Sequence, residues 1–112
     1  MVRETTETFE VEKSVAVADR VSETIYFDGE TMAVSGRFNE DEYTADIDAF
    51  DAALNAIDVG VKSVKVNEHI TIIADARHLS TFYVSVKYKG GSGWLFTSLE
   101  ELRKALDRSR SL

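Results

Sequence analysis

The sequence predicts an α+β fold in which two helices pack on one face of an antiparallel sheet, in the order β-β-β-α-β-β-β-α. Several short segments alternate apolar and polar residues, as half-buried strands do. Two other segments repeat apolar residues at the spacing of an amphipathic helix. Helices of about three turns cannot cover both faces of a large sheet, which favours an antiparallel sheet with one covered face.

The first predicted strand covers residues 9–17. Apolar residues in this segment share one parity, and the polar residues between them have the other. The apolar positions are Phe9, Val11, Val15 and Val17. Because successive side chains of a strand point to opposite faces, we expect these four on the same face of the sheet.

A hairpin is predicted around Asp28-Gly29, which separates two alternating segments, residues 24–27 and 31–38. An Asp-Gly pair between strands is typical of a tight turn, because both turn positions must accept a positive φ. A two-residue loop at this pair would place Ile25 opposite Met32.

The first helix is predicted over residues 45–57. Its apolar residues form one stripe, consisting of Ile47, Phe50, Leu54 and Ile57. Thr44 or Asp46 can cap the N-terminus. Gly60 is available for a left-handed residue after the C-terminus.

Two long strands follow, separated by a loop over residues 75–80. The alternating positions of the first are Val64, Val66, Ile70 and Ile72, and those of the second are Phe82, Val84, Val86 and Tyr88. The glycine-rich segment 89–94 is either a flexible hairpin loop or an engineered joint, and the strand-like residues on both sides favour the loop. A short strand is predicted over residues 94–96.

The second helix begins with a capping box, in which Ser98 is the cap and Glu101 follows three residues later. Three leucines continue at helical spacing, namely Leu99, Leu102 and Leu106. The basic tail, residues 108–112, is predicted to fray.

The composition is that of one small domain spanning residues 1–112, with 44% hydrophobic and 29% charged residues. Thirteen basic and twenty acidic residues leave a net charge of -7, which argues against nucleic acid as a partner. The chain has no cysteine, and no apolar run approaches the length of a membrane span. We expect a cytoplasmic protein without membrane contact.

Catalytic and metal-binding motifs are missing from the sequence. His69 and His78 lack the spacing of a metal site. Neither a nucleophile elbow nor a phosphate-binding glycine loop occurs. The sequence therefore predicts a protein that is not an enzyme and that has no metal and no cofactor.

The densest acidic patch includes Glu40, Asp41, Glu42 and Asp46. Carboxylates near a helix N-terminus interact favourably with its dipole, which is a structural reason for the patch. The functional alternative is an acidic surface that a basic protein partner binds.

Three apolar residues are predicted to lie on the open face of the sheet, namely Ile73, Tyr83 and Trp94. Tyr83 has the opposite parity to its neighbours Phe82 and Val84, and Ile73 has the opposite parity to Ile72. An apolar open face usually marks an association surface. We expect a homodimer that forms through this face.

The chain also resembles the C-terminal regulatory domain of the α-isopropylmalate and citramalate synthases. Residues 9–12 and 23–30 resemble the opening strands and hairpin of that domain. Residues 46–57 resemble its first helix, and residues 64–66 and 83–86 resemble the two strands that follow. This chain has residues 74–78 in place of the glycine-rich effector loop typical of that family.

The resemblance implies a non-catalytic domain that dimerises and binds a small effector. Our first functional hypothesis is therefore a ligand-binding, dimerising domain of the regulatory type. The alternative is an acidic interaction or inhibitor module that acts on a basic partner.

Overall fold

The computed structural model describes residues 7–11, 13–18, 23–36, 42–89 and 93–112. These residues form an α+β fold with two helices and two antiparallel sheets, so the predicted fold class is confirmed. The predicted single sheet and the predicted order β-β-β-α-β-β-β-α are wrong, because five strands precede the first helix and four lie between it and the second. The first sheet has five strands and the second has four, each in chain order. One helix follows each sheet along the chain.

The elements have the following bounds. The first sheet contains β1 (Glu7–Val11), β2 (Ser14–Ala18), β3 (Thr24–Phe27), β4 (Thr31–Ser35) and β5 (Glu42–Asp46). Helix α1 (Ile47–Asp58) leads to the second sheet, which contains β6 (Ser63–Lys65), β7 (Ile70–His78), β8 (Thr81–Tyr88) and β9 (Gly93–Ser98). Helix α2 (Leu99–Ser109) follows the last strand.

Each helix contacts strands of both sheets. Helix α1 contacts β4, β5, β6 and β7, whereas α2 contacts β2, β3, β8 and β9. The buried residues of both helices belong to one core together with those of both sheets. A single sheet of all these strands would present more inner surface than two short helices can cover. Two sheets that share the same helices avoid that exposure.

The predicted first strand is a hairpin. β1 and β2 pair with Val11 opposite Ser14, and the Ser14 hydroxyl donates to the Val11 carbonyl at 2.9 Å. In this register an odd-numbered residue of β1 pairs with an even-numbered residue of β2 and shares its face. Odd-numbered residues of β1 and β2 therefore lie on opposite faces of the sheet. Phe9 therefore lies opposite Ala16 on the outer face and is 41% exposed, whereas Val15 is buried in the core.

The hairpin around Asp28-Gly29 is confirmed, but its register differs from the prediction. Ile25 lies opposite Val34 and not opposite Met32. The central turn positions are therefore residues 29 and 30, and Gly29 has a φ of 95°. A shift of two residues leaves every side chain of the hairpin on its predicted face.

Hydrogen bonds across this turn hold the carboxylate of Asp28. The N–H groups of Thr31 and Glu30 donate to it at 2.7 and 2.9 Å, and the Thr31 hydroxyl donates at 3.0 Å. These bonds lower the pKa of Asp28 below its ordinary value of 3.8, and the bond from the Thr31 N–H has the largest effect. Because the folded pKa is the lower one, the charged carboxylate stabilises the fold above about pH 4. This stabilisation is lost as the pH falls through the folded pKa.

We expect Asp28→Asn to unfold at lower urea concentration than the wild type at neutral pH, and the difference to shrink below about pH 4. Urea unfolding at a series of pH values measures the effect. Glu30→Gln is the matched control, because it removes a charge from the same turn and leaves the hydrogen bonds of Asp28 in place. A stability difference between Asp28→Asn and wild type that does not change with pH would contradict the prediction.

Helix α1 confirms the predicted stripe and one of the two predicted caps. The four residues of the stripe are buried, namely Ile47, Phe50, Leu54 and Ile57. The Asp48 N–H donates to the Asp46 carboxylate at 3.1 Å, which makes Asp46 the N-cap. Residues 45 and 46 belong to β5, so the helix begins later than predicted. Gly60 has a φ of 117°, as the prediction of a left-handed residue requires.

The segment predicted as one strand over residues 64–72 contains β6, a turn and the start of β7. Asn67 organises the turn, since its Oδ1 accepts from the N–H groups of His69 and Ile70 at 2.8 and 3.0 Å. Its Nδ2 donates to the Thr44 carbonyl of the first sheet at 2.8 Å. β7 then continues to His78, where the sequence predicts a loop.

The glycine-rich segment connects a hairpin, as predicted. β8 and β9 pair with Tyr88 opposite Gly93, and β9 extends the predicted short strand at both ends. Residues 90–92 of the connection lie outside the described residues.

Helix α2 confirms the predicted cap, because the Glu101 N–H donates to the Ser98 hydroxyl at 3.0 Å. Its end differs from the frayed tail predicted from residue 108. The helix continues to Ser109, and Arg110 forms an ion pair with Asp48 of α1.

Candidate functional site

The outer face of the second sheet carries the predicted interface residues. Ile73 lies opposite Ser85, and Trp94 lies opposite Lys87. Tyr83 precedes Ser85 by two positions on β8, so Ile73, Tyr83 and Trp94 share one face. The other face of this sheet contributes to the core with the helices. We call the outer surface the second-sheet face, and its members are Ile73, Tyr83, Ser85, Lys87, Trp94 and Phe96.

Aromatic contacts decide which of these side chains solvent reaches. The rings of Tyr83 and Phe96 are stacked, with centroids 5.3 Å apart and planes inclined by 9°. Lys87 Nζ lies 4.0 Å from the centroid of the Trp94 ring, a cation–π contact. Trp94 is 49% exposed and Tyr83 only 8%. Trp94, near the start of the edge strand β9, is therefore the most exposed apolar side chain of the second-sheet face. The sequence alone does not distinguish its exposure from that of Tyr83.

Sequence reasoning missed Phe96 as a member of this face. It lies two residues after Trp94 in a strand-like segment, and this shared parity is the signal that identifies it. Its position opposite Ser85 places it beside Tyr83 and explains why Tyr83 is buried.

The structure separates the residues of the predicted acidic patch. Glu40 and Asp41 lie outside the described residues. Glu42 and Asp46 lie at opposite ends of β5 on the outer face of the first sheet, and both are exposed. They are four steps apart along the strand, which is about 13 Å and too far for one small ligand to contact both carboxylates. Asp46 also caps α1.

A shallow pocket of about 210 Å³ lies on the same outer face, between the strands' side chains. Tyr26, Thr31 and Thr44 contribute to its walls, with Asp28 and Glu42 at its edges. Asp28 is already engaged by the turn, so Glu42 is the carboxylate of this pocket that remains for a partner.

A larger cavity lies at the C-terminal end of α1. Its volume is about 370 Å³, within the size range of small-molecule sites. Apolar side chains from α1, the following loop and the second sheet line it, namely Ile57, Val61, Ala74 and Phe82. Lys62, Asp75 and Arg77 supply its polar groups. We call it the α1-end cavity.

A bulge in β7 places Arg77 at this cavity. Ala74 pairs with Val84 and Ala76 with Tyr83, so the register shifts at Asp75. Regular alternation would point Arg77 to the outer face. The extra residue instead puts Arg77 opposite Phe82, with its guanidinium carbon 4.6 Å from the ring centroid. Bulges often re-aim side chains beside functional sites.

Asp75, the extra residue of the bulge, forms a hydrogen bond with the second-sheet face. The Ser85 hydroxyl of the second-sheet face donates to its carboxylate. The bulge therefore links the α1-end cavity to the second-sheet face through one hydrogen bond. A second cavity of about 250 Å³ shares Arg77 and Phe82 and extends to the start of α2.

The two histidines considered in the sequence lie at opposite ends of β7. His69 lies in the turn before β7 with its ring 5.2 Å from that of Tyr43, and His78 is exposed at the end of β7. Within the described ranges, no three His, Cys, Asp or Glu side chains are grouped to hold a metal ion. The helices described here are too short or too polar to cross a membrane.

Comparisons of the chain with protein-family models, curated proteins and solved structures find no match.

Proposed function

We propose that the chain is a non-catalytic, regulatory-type domain of the cytoplasm that binds a small ligand and pairs with a second copy of itself. The observation that carries the proposal is the second-sheet face, where aromatic and aliphatic side chains stand opposite the side that the helices cover. The resemblance to the regulatory domain of the α-isopropylmalate and citramalate synthases supports the same function. The α1-end cavity is the candidate ligand site.

The second-sheet face has the character of an association surface. Trp94 is half exposed. Phe96, two residues further along β9, and Ile73, in the same row as Phe96 on β7, are partly exposed. Interfaces are enriched in aromatic residues, and an exposed apolar patch is usually functional. A standard interface buries about 800 Å² per partner, and twofold symmetry is the commonest arrangement.

We expect the wild type to dimerise at micromolar concentration and Trp94→Glu to be monomeric. A glutamate at this position would replace the most exposed apolar side chain of the face by a charged group in each copy, which removes apolar contact from the interface. In the monomer the glutamate remains at the surface beside Lys87. Sedimentation equilibrium measures the effect. The wild-type dimer should strengthen modestly from low to physiological ionic strength, because salt screens the repulsion between two chains of net charge -7.

Phe9→Glu is the matched control for this experiment. Phe9 is an aromatic residue of similar exposure, 41%, on the outer face of the first sheet. The Phe9→Glu substitution should leave the dimer intact. A wild-type monomer at all salt concentrations would rule out the dimer, and loss of the dimer in Phe9→Glu alone would place the interface on the first sheet. Tyr83→Glu is a poorer probe, because Tyr83 is stacked under Phe96 and its loss would disturb the sheet.

The second candidate function is an acidic module that binds a basic partner through the first sheet. The observation in its favour is the register, which places the exposed residues Glu42 and Glu7 in one row across the outer face. Salt-sensitive binding of a lysine-rich peptide, weakened in Glu42→Gln, together with a monomeric wild type would favour this function over the first.

A further inference from the structure

We infer that the α1-end cavity binds a small anion with a short apolar chain, such as an aliphatic carboxylate, through Arg77 and Lys62. This inference rests on the proposed ligand-binding function and specifies the chemistry of the ligand. It is carried by three observations: the direction of Arg77, the partners of the polar groups and the apolar wall.

The first observation is that the bulge turns Arg77 towards the cavity. A regular strand would place this guanidinium on the outer face, beside the carboxylate of Asp75. In the structure its guanidinium carbon lies 4.6 Å from the centroid of the Phe82 ring, at the cavity wall. The N–H donors of a guanidinium lie at the edge of its plane, so Arg77 can bind the two oxygens of a carboxylate in bidentate fashion.

The second observation concerns the charges at the cavity. Arg103, Lys104, Arg108 and Arg110 form ion pairs with carboxylates of the protein. Arg77 and Lys62 form none with the residues that the structure describes. The one carboxylate of the α1-end cavity, that of Asp75, accepts from the Ser85 hydroxyl. The Ser85 hydroxyl is neutral and leaves Asp75 charged, but the two cations outnumber this carboxylate, so the charge of the cavity lining favours an anionic group.

A helix C-terminus with free carbonyls favours a cationic ligand, and this preference is weakened at the end of α1. The carbonyls of Asn55, Ala56 and Ile57 accept from the N–H groups of residues 59, 61 and 60. Because these three carbonyls are already hydrogen-bonded, the negative end of the helix dipole offers fewer free acceptors there.

The third observation is the apolar wall of the cavity, which predicts that the ligand carries an apolar group in addition to its anionic group. Ile57, Val61 and Phe82 face the cavity from three different elements. An alkyl or aryl group in contact with them leaves water, and such a ligand gains from burial as well as from charge. A bare inorganic anion would leave this surface in contact with solvent.

The test is an NMR titration of the ¹⁵N-labelled wild type with three probes that share a six-carbon chain: hexanoate, 1-hexanol and hexylamine. We expect hexanoate to shift the amide signals of residues 57–62 and 74–77 and to bind about tenfold more tightly than 1-hexanol, the ratio that one charge-assisted contact supplies. Hexylamine should bind most weakly.

Arg77→Gln and Lys62→Gln should each lower the affinity for hexanoate towards that for 1-hexanol and leave 1-hexanol binding unchanged. Lys65→Gln is the matched control, because Lys65 is an exposed lysine on β6 that does not line the cavity. The spectra of the variants report directly whether each one is folded.

The outcomes separate this inference from the proposed function. If 1-hexanol or hexylamine binds at these residues as tightly as hexanoate, the cavity is a ligand site and the anionic class is wrong. If hexanoate binds to Arg77→Gln and to Lys62→Gln as tightly as to the wild type, the assignment of these two residues to the ligand site is wrong. If none of the three probes shifts these signals, both the inference and the ligand-binding half of the proposed function fail.

Discussion

Phe50→Ala is expected to lower the free energy of unfolding by about 3–5 kcal/mol. Phe50 is fully buried, and its ring centroid lies 5.6 Å from that of Phe27 in the first sheet. Helix α1 contacts both sheets, and Phe50 belongs to the core that the helices and the two sheets share. Small domains have total stabilities of about 5–15 kcal/mol, so the expected loss is a large part of the whole.

Urea unfolding at neutral pH measures this loss. Val59→Ala is the matched control, because it shortens an apolar side chain at the end of the same helix where the residue is 83% exposed. The control should change the stability by less than about 0.5 kcal/mol. A Phe50→Ala protein whose stability lies within about 1 kcal/mol of the wild type would show that α1 does not anchor the core.

Gly93→Ala is expected to cost about 1–3 kcal/mol or more through overpacking. Gly93 lies opposite Tyr88 in the β8–β9 pair, and a Cβ at residue 93 would lie 2.5 Å from Cζ of the Tyr88 ring. The Tyr88 side chain is 2% exposed and has no free space to enter. Its hydroxyl reaches Gly36, the residue after β4, where a Cβ would lie 2.7 Å from it. The tyrosine is therefore enclosed between Gly93 of the second sheet and Gly36 at the end of a strand of the first.

A thermodynamic cycle separates this clash from a general intolerance of β9 to substitution. Tyr88→Leu removes the ring atoms that the new methyl group would meet, so Gly93→Ala should cost much less in the Tyr88→Leu background than in the wild type. Urea unfolding of the four proteins gives the coupling energy. Additive effects would mean that the Tyr88 ring is not what excludes a side chain from position 93.

Local interactions explain which parts of the fold the sequence predicts well. The helix caps at Asp46 and Ser98 are predictable because each side chain accepts from an N–H only two or three residues further along. The buried stripe of α1 is predictable for the same reason, since helical spacing alone decides which residues share a face. The hairpin at Asp28-Gly29 depends on one turn, although its register does not follow from the turn residues.

Pairing between distant strands decides the remainder of the fold. Residues 9–17 alternate as one strand does, and only the pairing of Val11 with Ser14 shows that the chain reverses there. β5 precedes α1 without a break in the sequence pattern, because its residues 45 and 46 also suit a helix start. The division into two sheets follows from how much surface two helices can cover, which is a property of the whole chain.

The candidate sites show the same division. Parity alone assigns Ile73, Tyr83 and Trp94 to an outer face, because side-chain direction in a strand alternates with every residue. The burial of Tyr83 depends on Phe96 across the sheet, and the direction of Arg77 depends on one extra residue in β7. Both are consequences of strand register. Register is set by the packing of the whole sheet against its core, which no short segment of the sequence contains.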